Sequence, residues 1–144
     1  MPGLALTTVG LLNQVARDVR TLLDQEFAAL AVTAQQAGVL LHISAGETTP
    51  RRLAELLATD TAGMTRLLDR LQSRGLVRRE ADPANRRSIR IMLTASGRAL
   101  IPSIPPIFNR VAARVTEGVA EHDLRVVHNT LMTVRANLDG QSAV

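Results

Sequence analysis

The chain has 144 residues, and all 17 of its basic residues are arginines, set against 13 acidic residues. It contains no cysteine, which excludes disulfides, thiolate metal sites and cysteine redox switches. The length allows one domain with a real core, or a small domain with helical extensions that dimerise. Residues 51–98 hold 11 arginines and 5 acids, whereas the rest holds 6 arginines and 8 acids. This segregation indicates a polyanionic partner at one end of the molecule, although solvated helices of any protein also carry arginine.

The first 20 residues predict neither a secretory signal nor a membrane span, because no basic segment precedes the apolar residues and polar residues interrupt them. We therefore expect a cytoplasmic protein that has no membrane partner. Apolar residues at helical spacing predict a first long helix from about residue 5 to residue 30. Its apolar stripe is wide for an isolated surface helix, and fits either an ordinary core or packing on a second subunit.

Two shorter helices are predicted next. Thr33 and Gln36 have the spacing of a capping box, which starts a second helix that runs to about Ile43. Residues 44–47 then form a turn or one short strand. Thr49 as N-cap and Pro50 at the first helical position predict a third helix, buried through Leu53, Leu56 and Leu57. Arg51 and Arg52 lie at its start, where we expect a backbone phosphate of a nucleic acid.

The fourth helix is predicted between Asp60, a good N-cap, and Gly75, a helix stop. Four apolar residues at helical spacing form one stripe that faces a core. The opposite face begins with small residues and continues with two arginines, which suits a helix whose N-terminal end enters a major groove. With the third helix it forms a helix-turn-helix. The residues expected to contact DNA from this helix are Thr61, Ala62, Thr65, Arg66 and Arg70.

After Gly75 the period of the pattern changes from that of a helix to that of a strand. Residues 76–80 and 88–94 predict two strands that pair as a hairpin, with Ile89, Ile91 and Leu93 on one face. The seven residues between them are too many for a two-residue turn. A helix followed by a β-ribbon with arginines at its tip predicts a winged helix. Arg86 and Arg87 are then expected to reach a minor groove beside the occupied major groove.

These residues resemble the MarR (multiple antibiotic resistance regulator) family of transcription factors, most closely over residues 48–100. The resemblance rests on Thr65-Arg66, Leu68-Asp69-Arg70-Leu71, Arg74-Gly75-Leu76-Val77, Arg79, Asn85-Arg86-Arg87, Leu93-Thr94 and Gly97. In the family's wing an acidic residue usually precedes the arginine by two positions. Here Asn85 replaces that acid and cannot form its ion pair, so we expect Asp69 to pair with a wing arginine instead.

The C-terminal third predicts two further helices. One begins at Thr94, with Ser96 as a capping residue, and Pro102, Pro105 and Pro106 are expected to kink or break it. The last runs from about His122 to Leu138. Together with the first helix, these elements offer apolar stripes that a two-fold partner would cover. We therefore predict a helical dimerisation region over residues 1–32 and 99–144, and a winged helix-turn-helix DNA-binding domain over residues 33–98.

A catalytic role has little support in this sequence. The only histidines are His42, His122 and His128, and no pair of them lies one helical turn apart, as a metal site on a helix requires. Neither a phosphate-binding glycine loop nor a nucleophile motif is present. We therefore expect no enzyme activity, no metal and no cofactor.

The resemblance also implies a small aromatic or phenolic effector that binds between the dimerisation helices and the winged-helix lobe. Polar anchors for such a ligand are expected at His42, Arg17 or Arg20. The same positions fit a filled core equally well, because the chain has two phenylalanines and no other aromatic residue to stack on a ring. The residues expected to line this pocket are Val15, Val19, Leu40, His42, Ile43 and Ile107.

The sequence thus predicts a mainly helical protein with a small β-hairpin, a winged helix-turn-helix with terminal dimerisation helices. Its predicted function is that of a sequence-specific regulator of transcription, a ligand-responsive repressor that binds double-stranded DNA as a homodimer on a pseudo-palindromic operator. The alternative is a winged-helix module that uses its basic face for protein interaction, without sequence-specific DNA binding.

Overall fold

The structure is a computed structural model that describes residues 3–141, as seven α-helices and one two-stranded sheet. Residues 1–2 and 142–144, which belong to the predicted dimerisation region, lie outside the described residues. The chain divides into two compact units, Met1–Val111 and Ala112–Val144. The elements in chain order are α1 (Leu4–Phe27), α2 (Ala34–Ser44), α3 (Pro50–Leu56), α4 (Thr61–Ser73), β1 (Val77–Asp82), β2 (Asn85–Leu93), α5 (Ala95–Leu100), α6 (Ile104–Val115) and α7 (Glu121–Gln141).

The junction between α1 and α2 confirms the predicted capping box. The Thr33 hydroxyl accepts from the backbone N–H of Gln36 at 3.1 Å, and the Gln36 side chain accepts from the backbone N–H of Thr33 at 3.0 Å. Asp24 in α1 adds a third acceptor, because its carboxylate lies 2.8 Å from the backbone nitrogen of Ala34. The first turn of α2 is therefore satisfied by side chains of the chain itself.

Helices α3 and α4 form the predicted helix-turn-helix. Helix α3 begins at Pro50 as expected, but Leu56 is exposed, and Ala54 is buried in its place beside Leu53. Helix α4 is capped by Asp60, whose carboxylate accepts from the backbone N–H of Gly63 at 2.6 Å. The four apolar residues of its stripe are all buried, as the spacing predicted. They are Met64, Leu67, Leu68 and Leu71.

The hairpin differs from the prediction at its tip. Both strands extend further than expected, and Asp82 pairs with Asn85, so the turn between them holds only Pro83 and Ala84. The register shifts between Ala81, opposite Ile89, and Asp82, opposite Asn85. Residues 86–88 of β2 therefore bulge out with no opposing residues in β1. The prediction of a seven-residue connection was wrong, because polar residues that are typical of turns form a bulged strand here.

The base of the hairpin is joined to α5 by a compact set of contacts. Thr94, rather than Ser96, is the N-cap of α5: its hydroxyl accepts from the backbone N–H of Gly97 and donates to the carbonyl of Gly75. A β-carbon at position 97 would overlap the carbonyl oxygen of Leu76. Only glycine fits at this position without a shift of the backbone, so the close approach of α5 to the start of β1 depends on it.

The prolines break the C-terminal helix as predicted. A short 3₁₀ turn, Ile101–Ser103, separates α5 from α6, and Pro105 and Pro106 occupy the first turn of α6, where a missing N–H costs nothing. Helix α6 contributes Ile104, Ile107 and Val111 to the core of the first unit. The two phenylalanines of the chain, Phe27 and Phe108, meet edge to face there, with ring centroids 4.8 Å apart.

The terminal helices carry exposed apolar side chains. On α1 these are Leu4, Leu6, Val9, Leu11 and Val15, and on α7 they are Val126, Val127, Leu131, Met132 and Leu138. In the described part of the chain no single helix meets the length and hydropathy expected of a membrane span, although residues 4–30 and 34–44 meet them together as a pair bent by 69°.

Candidate nucleic-acid interface

The exposed face of α4 carries every residue that the sequence predicted there. Thr61, Ala62, Thr65, Arg66 and Arg70 are all exposed, on the side opposite the buried stripe. The Thr65 hydroxyl donates to the carbonyl of Thr61 at 2.9 Å, which leaves its methyl group and an oxygen lone pair toward solvent. The exposed residues of the N-terminal turn, Thr61 and Ala62, are small, so a groove of DNA could approach the backbone closely there.

Gly63 keeps this first turn in place. A β-carbon at position 63 would overlap the side chain of Thr59 and crowd the carboxylate of Asp60. The absence of a side chain lets the turn before α4 pack directly under the helix start, where the Asp60 cap lies. The sequence reasoning did not single out this glycine, and the signal for it is the small residue three positions after an N-cap.

Two arginines on this face are available to a ligand. Among residues 3–141, neither Arg66 nor Arg70 forms an ion pair with an acidic side chain. Both follow the small residues of the first turn by one to two turns of helix. This arrangement places guanidinium groups beside the surface that would face base edges, and their charge is not neutralised by the protein.

The tip of the hairpin, residues 82–88, carries the other two predicted arginines. Arg86 and Arg87 are exposed and lie within the bulge of β2. The side chain of Asn85 accepts from the backbone N–H of Arg87 at 3.2 Å, and that of Asp82 accepts from Ala84 at 2.9 Å. Asn85 thus organises the tip by a hydrogen bond to the backbone, which needs no charge.

An open cleft of about 510 Å³ separates the wing from helices α3 and α4. Arg87 and Ile89 border it on the wing side, and Pro50, Met64 and Thr65 border it on the helix side. Ile89 shares the predicted face with Ile91 and Leu93, but it is 54% exposed while they are buried. The wing therefore leaves the core beyond Ile91 and extends alongside α4.

Arg51 and Arg52, the predicted phosphate contacts of α3, are paired with acids. Glu55 lies 3.7 Å from Arg51 and 3.1 Å from Arg52, and Glu47 lies 3.9 Å from Arg52. All of these pairs are largely exposed, so they are weak and can open toward a phosphate. The structure places the two arginines at the helix start as expected, but with their charges partly balanced.

Asp69 does pair with an arginine of the wing, but with one at its base. A guanidinium nitrogen of Arg79, in β1, lies 2.7 Å from the Asp69 carboxylate, and the second nitrogen of the same group donates to the side chain of Gln72. Asp69 thus forms an ion pair, but with Arg79 of β1 and not with an arginine of the segment Asn85-Arg86-Arg87. The sequence named Arg79 only as part of the family resemblance and gave it no role. The sequence signal for Arg79 is a charged residue at a position of β1 that the alternation of side chains along the strand assigns to the buried face.

The opposite face of the hairpin carries a second ionic cluster. Glu80 accepts from Arg90, 2.6 Å away across the ladder, and from Arg78 at 3.3 Å. The hydrogen bond from Arg90 is the main cause that lowers the pKa of Glu80 from its ordinary value; partial desolvation opposes it and is outweighed, with Arg78 acting in the same direction as Arg90. Three of the wing's arginines therefore pair with acids of the protein, and the two at its tip have no acidic partner among residues 3–141.

In the described part of the chain, the residues predicted for an effector pocket lie in different surroundings. Leu40, Ile43 and Ile107 are core residues of the first unit, His42 is half-buried, and Val15 is exposed. Val19 borders a different cleft, of about 380 Å³, between α1, α2 and α4, together with Arg20, Leu67 and Arg70. The predicted lining therefore remains a prediction, and of its residues only Val19 lies on this cleft.

The part of the chain that matches a known family holds the same elements. Residues 32–88, from before α2 into the bulge of β2, match the model of the MarR family. The crystal structure of the transcriptional regulator PA3341 is 33% identical, with 92% of this chain and 98% of that chain covered and a TM-score of 0.80. A mutant of MarR from E. coli complexed with operator DNA is 26% identical, with 90% and 94% covered and a TM-score of 0.83.

CouR from Rhodococcus jostii RHA1 bound to p-coumaroyl-CoA has the same fold, with a TM-score of 0.79 at 24% identity and 93% and 95% of the two chains covered. The helix-turn-helix, the wing and the terminal helices thus define a winged-helix protein of the class found in transcriptional regulators. The chain belongs to the MarR family of transcriptional regulators.

Proposed function

We propose that this protein is a sequence-specific, double-stranded DNA-binding repressor of transcription that acts as a homodimer. The single observation that carries the proposal is that α4 and the wing tip each present two exposed arginines that have no acidic partner among the described residues. The arginines elsewhere on the wing and on α3 are paired with acids. The two elements that a winged helix presents to DNA thus both carry unpaired positive charge. Exposed arginines without an acidic partner among the described residues also lie elsewhere on the chain, at Arg17, Arg20, Arg74, Arg98 and Arg114.

The roles of the individual residues follow from their positions. In this proposal α4 is the recognition helix: Thr61, Ala62 and Thr65 approach base edges in the major groove, and Arg66 and Arg70 contact guanine edges or phosphates. Arg86 and Arg87 reach the adjacent minor groove. Arg51 and Arg52 exchange their exposed acid partners for backbone phosphates. The same residues then supply both sequence preference and a salt-dependent electrostatic attraction.

The proposal includes a two-fold homodimer formed by residues 1–32 and 99–144, with residues 33–98 as the DNA-binding domain. Exposed apolar side chains on α1 and α7 support it, since a monomer would leave them in water. Two recognition helices about 34 Å apart then read a pseudo-palindromic site. Because the protein must reach such a site on DNA, the proposal also places it in the cytoplasm. Light scattering at micromolar concentration should give the mass of a dimer, and a monomer would remove the basis of the palindrome.

An effector that releases DNA is a further part of the proposal. The MarR-family protein CouR binds p-coumaroyl-CoA, and the cleft beside Val19 in this chain offers apolar side chains and the guanidinium groups of Arg20 and Arg70. Such a site suits a small aromatic acid. A panel of aromatic and phenolic acids should contain a member that raises the melting temperature and weakens DNA binding. If none does either, the protein is not regulated by this class of ligand.

The experiment that tests the proposal is a binding titration with the DNA that flanks the protein's own gene. The expected result is tight binding to one duplex, with an affinity at least 1,000-fold above that for a scrambled duplex of the same length, on the order of known specificity ratios. Equal affinity for both duplexes would contradict sequence-specific regulation. Binding to neither would favour the alternative, a winged-helix module whose basic face contacts other proteins.

A further inference from the structure

Arg79 occupies a position of the wing where an apolar residue would continue the core. Alternation along β1 puts Val77 and Arg79 on the same face, and Arg79 lies opposite the fully buried Ile91. Its side chain is only 25% exposed, although Asp69, its partner, is 60% exposed. The guanidinium group therefore crosses from the inner face of the hairpin to the outer side of α4, where the core ends.

The contacts of Arg79 join two elements of the candidate interface. Its guanidinium group donates to the Asp69 carboxylate at 2.7 Å and to the side-chain oxygen of Gln72. Asp69 and Gln72 are one helical turn apart on α4, so one planar group with two donors binds two adjacent positions of the helix. A lysine would offer one nitrogen in place of this planar fork, so it would hold the two acceptors with less defined geometry.

Among residues 3–141, no side-chain hydrogen bond or ion pair joins the wing to α4 beyond Arg79. Ala81 and Ile89 are exposed, and a second polar anchor of the hairpin is on its other strand, where the backbone N–H of Ile91 donates to the carbonyl of Thr48 at 2.8 Å. The turn at Pro83 is four residues from Arg79, about 13 Å along an extended strand. A rotation of about 10° at Arg79 would therefore move the tip by about 2 Å, a third of the width of a minor groove, about 6 Å.

We propose that Arg79 is a positioning residue for DNA recognition, which holds the wing at a set angle to α4 so that both can engage adjacent grooves at once. This inference rests on the proposed DNA-binding function. Arg79 acts through Asp69 and Gln72 rather than by contact with DNA, because its charge is already neutralised by the Asp69 carboxylate. The loss of the bridge should cost little stability, since the pair is near the surface, but it should release the wing.

Asp69→Ala separates this role from simple electrostatics. Asp69 is an exposed acid on the helix that faces DNA, so its removal would by charge alone tighten binding. The positioning role predicts the opposite, a roughly tenfold weaker affinity for the operator duplex at an unchanged melting temperature. Glu55→Ala is the matched control, because it removes an exposed acid that pairs with Arg51 and Arg52 on α3; its affinity should be unchanged or higher.

A double-mutant cycle with the wing tip completes the test. Arg79→Ala should weaken operator binding about tenfold in the wild-type background, but less than twofold in an Arg87→Ala background, because a released wing has already lost the tip contact. Wild-type or tighter binding by Asp69→Ala, or additive losses in the cycle, would overturn the inference alone. Failure of the wild-type protein to prefer any duplex would overturn the proposed function and this inference with it.

Discussion

Helix α4 and the tip of the wing present arginines on the same side of the first unit, but they are held in place by different forces. Helix α4 buries four apolar residues and has a charged N-cap. Residues 82–88 bury no side chain, and their conformation depends on hydrogen bonds that the backbone N–H groups of Ala84 and Arg87 donate to the side chains of Asp82 and Asn85. The Arg79 bridge lies between the two regions. Hydrophobic burial thus fixes the helix, whereas polar contacts set the wing.

The two regions should therefore respond differently to mutation. A defect under α4 changes the folding equilibrium of the whole unit, because the stripe of α4 is part of the main core. A defect in the tip leaves the core intact and alters only the presentation of Arg86 and Arg87. Stability measurements should therefore report on the helix, and binding measurements on both regions.

Leu71→Ala is expected to have the largest effect. Leu71 has no exposed surface, so its truncation should lower the free energy of unfolding by about 2–5 kcal/mol through lost burial and a residual cavity. Chemical denaturation provides the measurement. Ser73→Ala, an exposed change on the same helix, should shift stability by less than about 0.5 kcal/mol. A small effect of Leu71→Ala would mean that burial does not hold α4.

Arg66→Ala tests how much α4 contributes to DNA binding apart from stability. The side chain has no acidic partner among residues 3–141, so stability should hardly change, whereas binding to the operator should weaken by about 1–3 kcal/mol if the arginine contacts a guanine edge. Arg110→Ala removes the same charge from α6, outside the candidate interface. Equal losses for both variants would show that Arg66 contributes only net charge.

The helical elements could be predicted from the sequence because their signals are local. The apolar stripe of α4, its cap at Asp60, the capping box at Thr33 and the proline break before α6 all depend on residues within a few positions of one another. Each of these features is present in the structure. The position of the exposed arginines on α4 follows directly from the same periodicity.

The wing could be predicted only in outline, because its details depend on contacts across the chain. The bulge at residues 86–88 is set by register with β1, and polar residues there look like a loop when read alone. Arg79 reaches an acid ten residues earlier in the chain, on another element. Thr94, the N-cap of α5, also donates its hydroxyl hydrogen to the carbonyl of Gly75, a contact that spacing alone does not show.

The smallest expected effect is the pH dependence from Glu80. Because the pKa of this carboxyl is lowered in the folded state, chiefly by Arg90, the ionised form stabilises the hairpin. That stabilisation is present above the pKa of the unfolded chain and is lost as the pH falls through the lower folded-state pKa. Wild type should exceed Glu80→Gln slightly in melting temperature at neutral pH, and the difference should vanish in acid. A constant difference at all pH values would exclude this linkage.

The most direct test of the account is the salt dependence of operator binding by wild type and by Arg87→Ala. Each phosphate neutralised by an arginine contributes about 0.9 to the slope of log K against log salt. If the unpaired arginines of α4 and the wing tip bind DNA, wild type should show a steep slope, and Arg87→Ala a lower affinity with a slope shallower by about one unit. A variant with the full wild-type slope and affinity would show that the wing tip does not contact DNA.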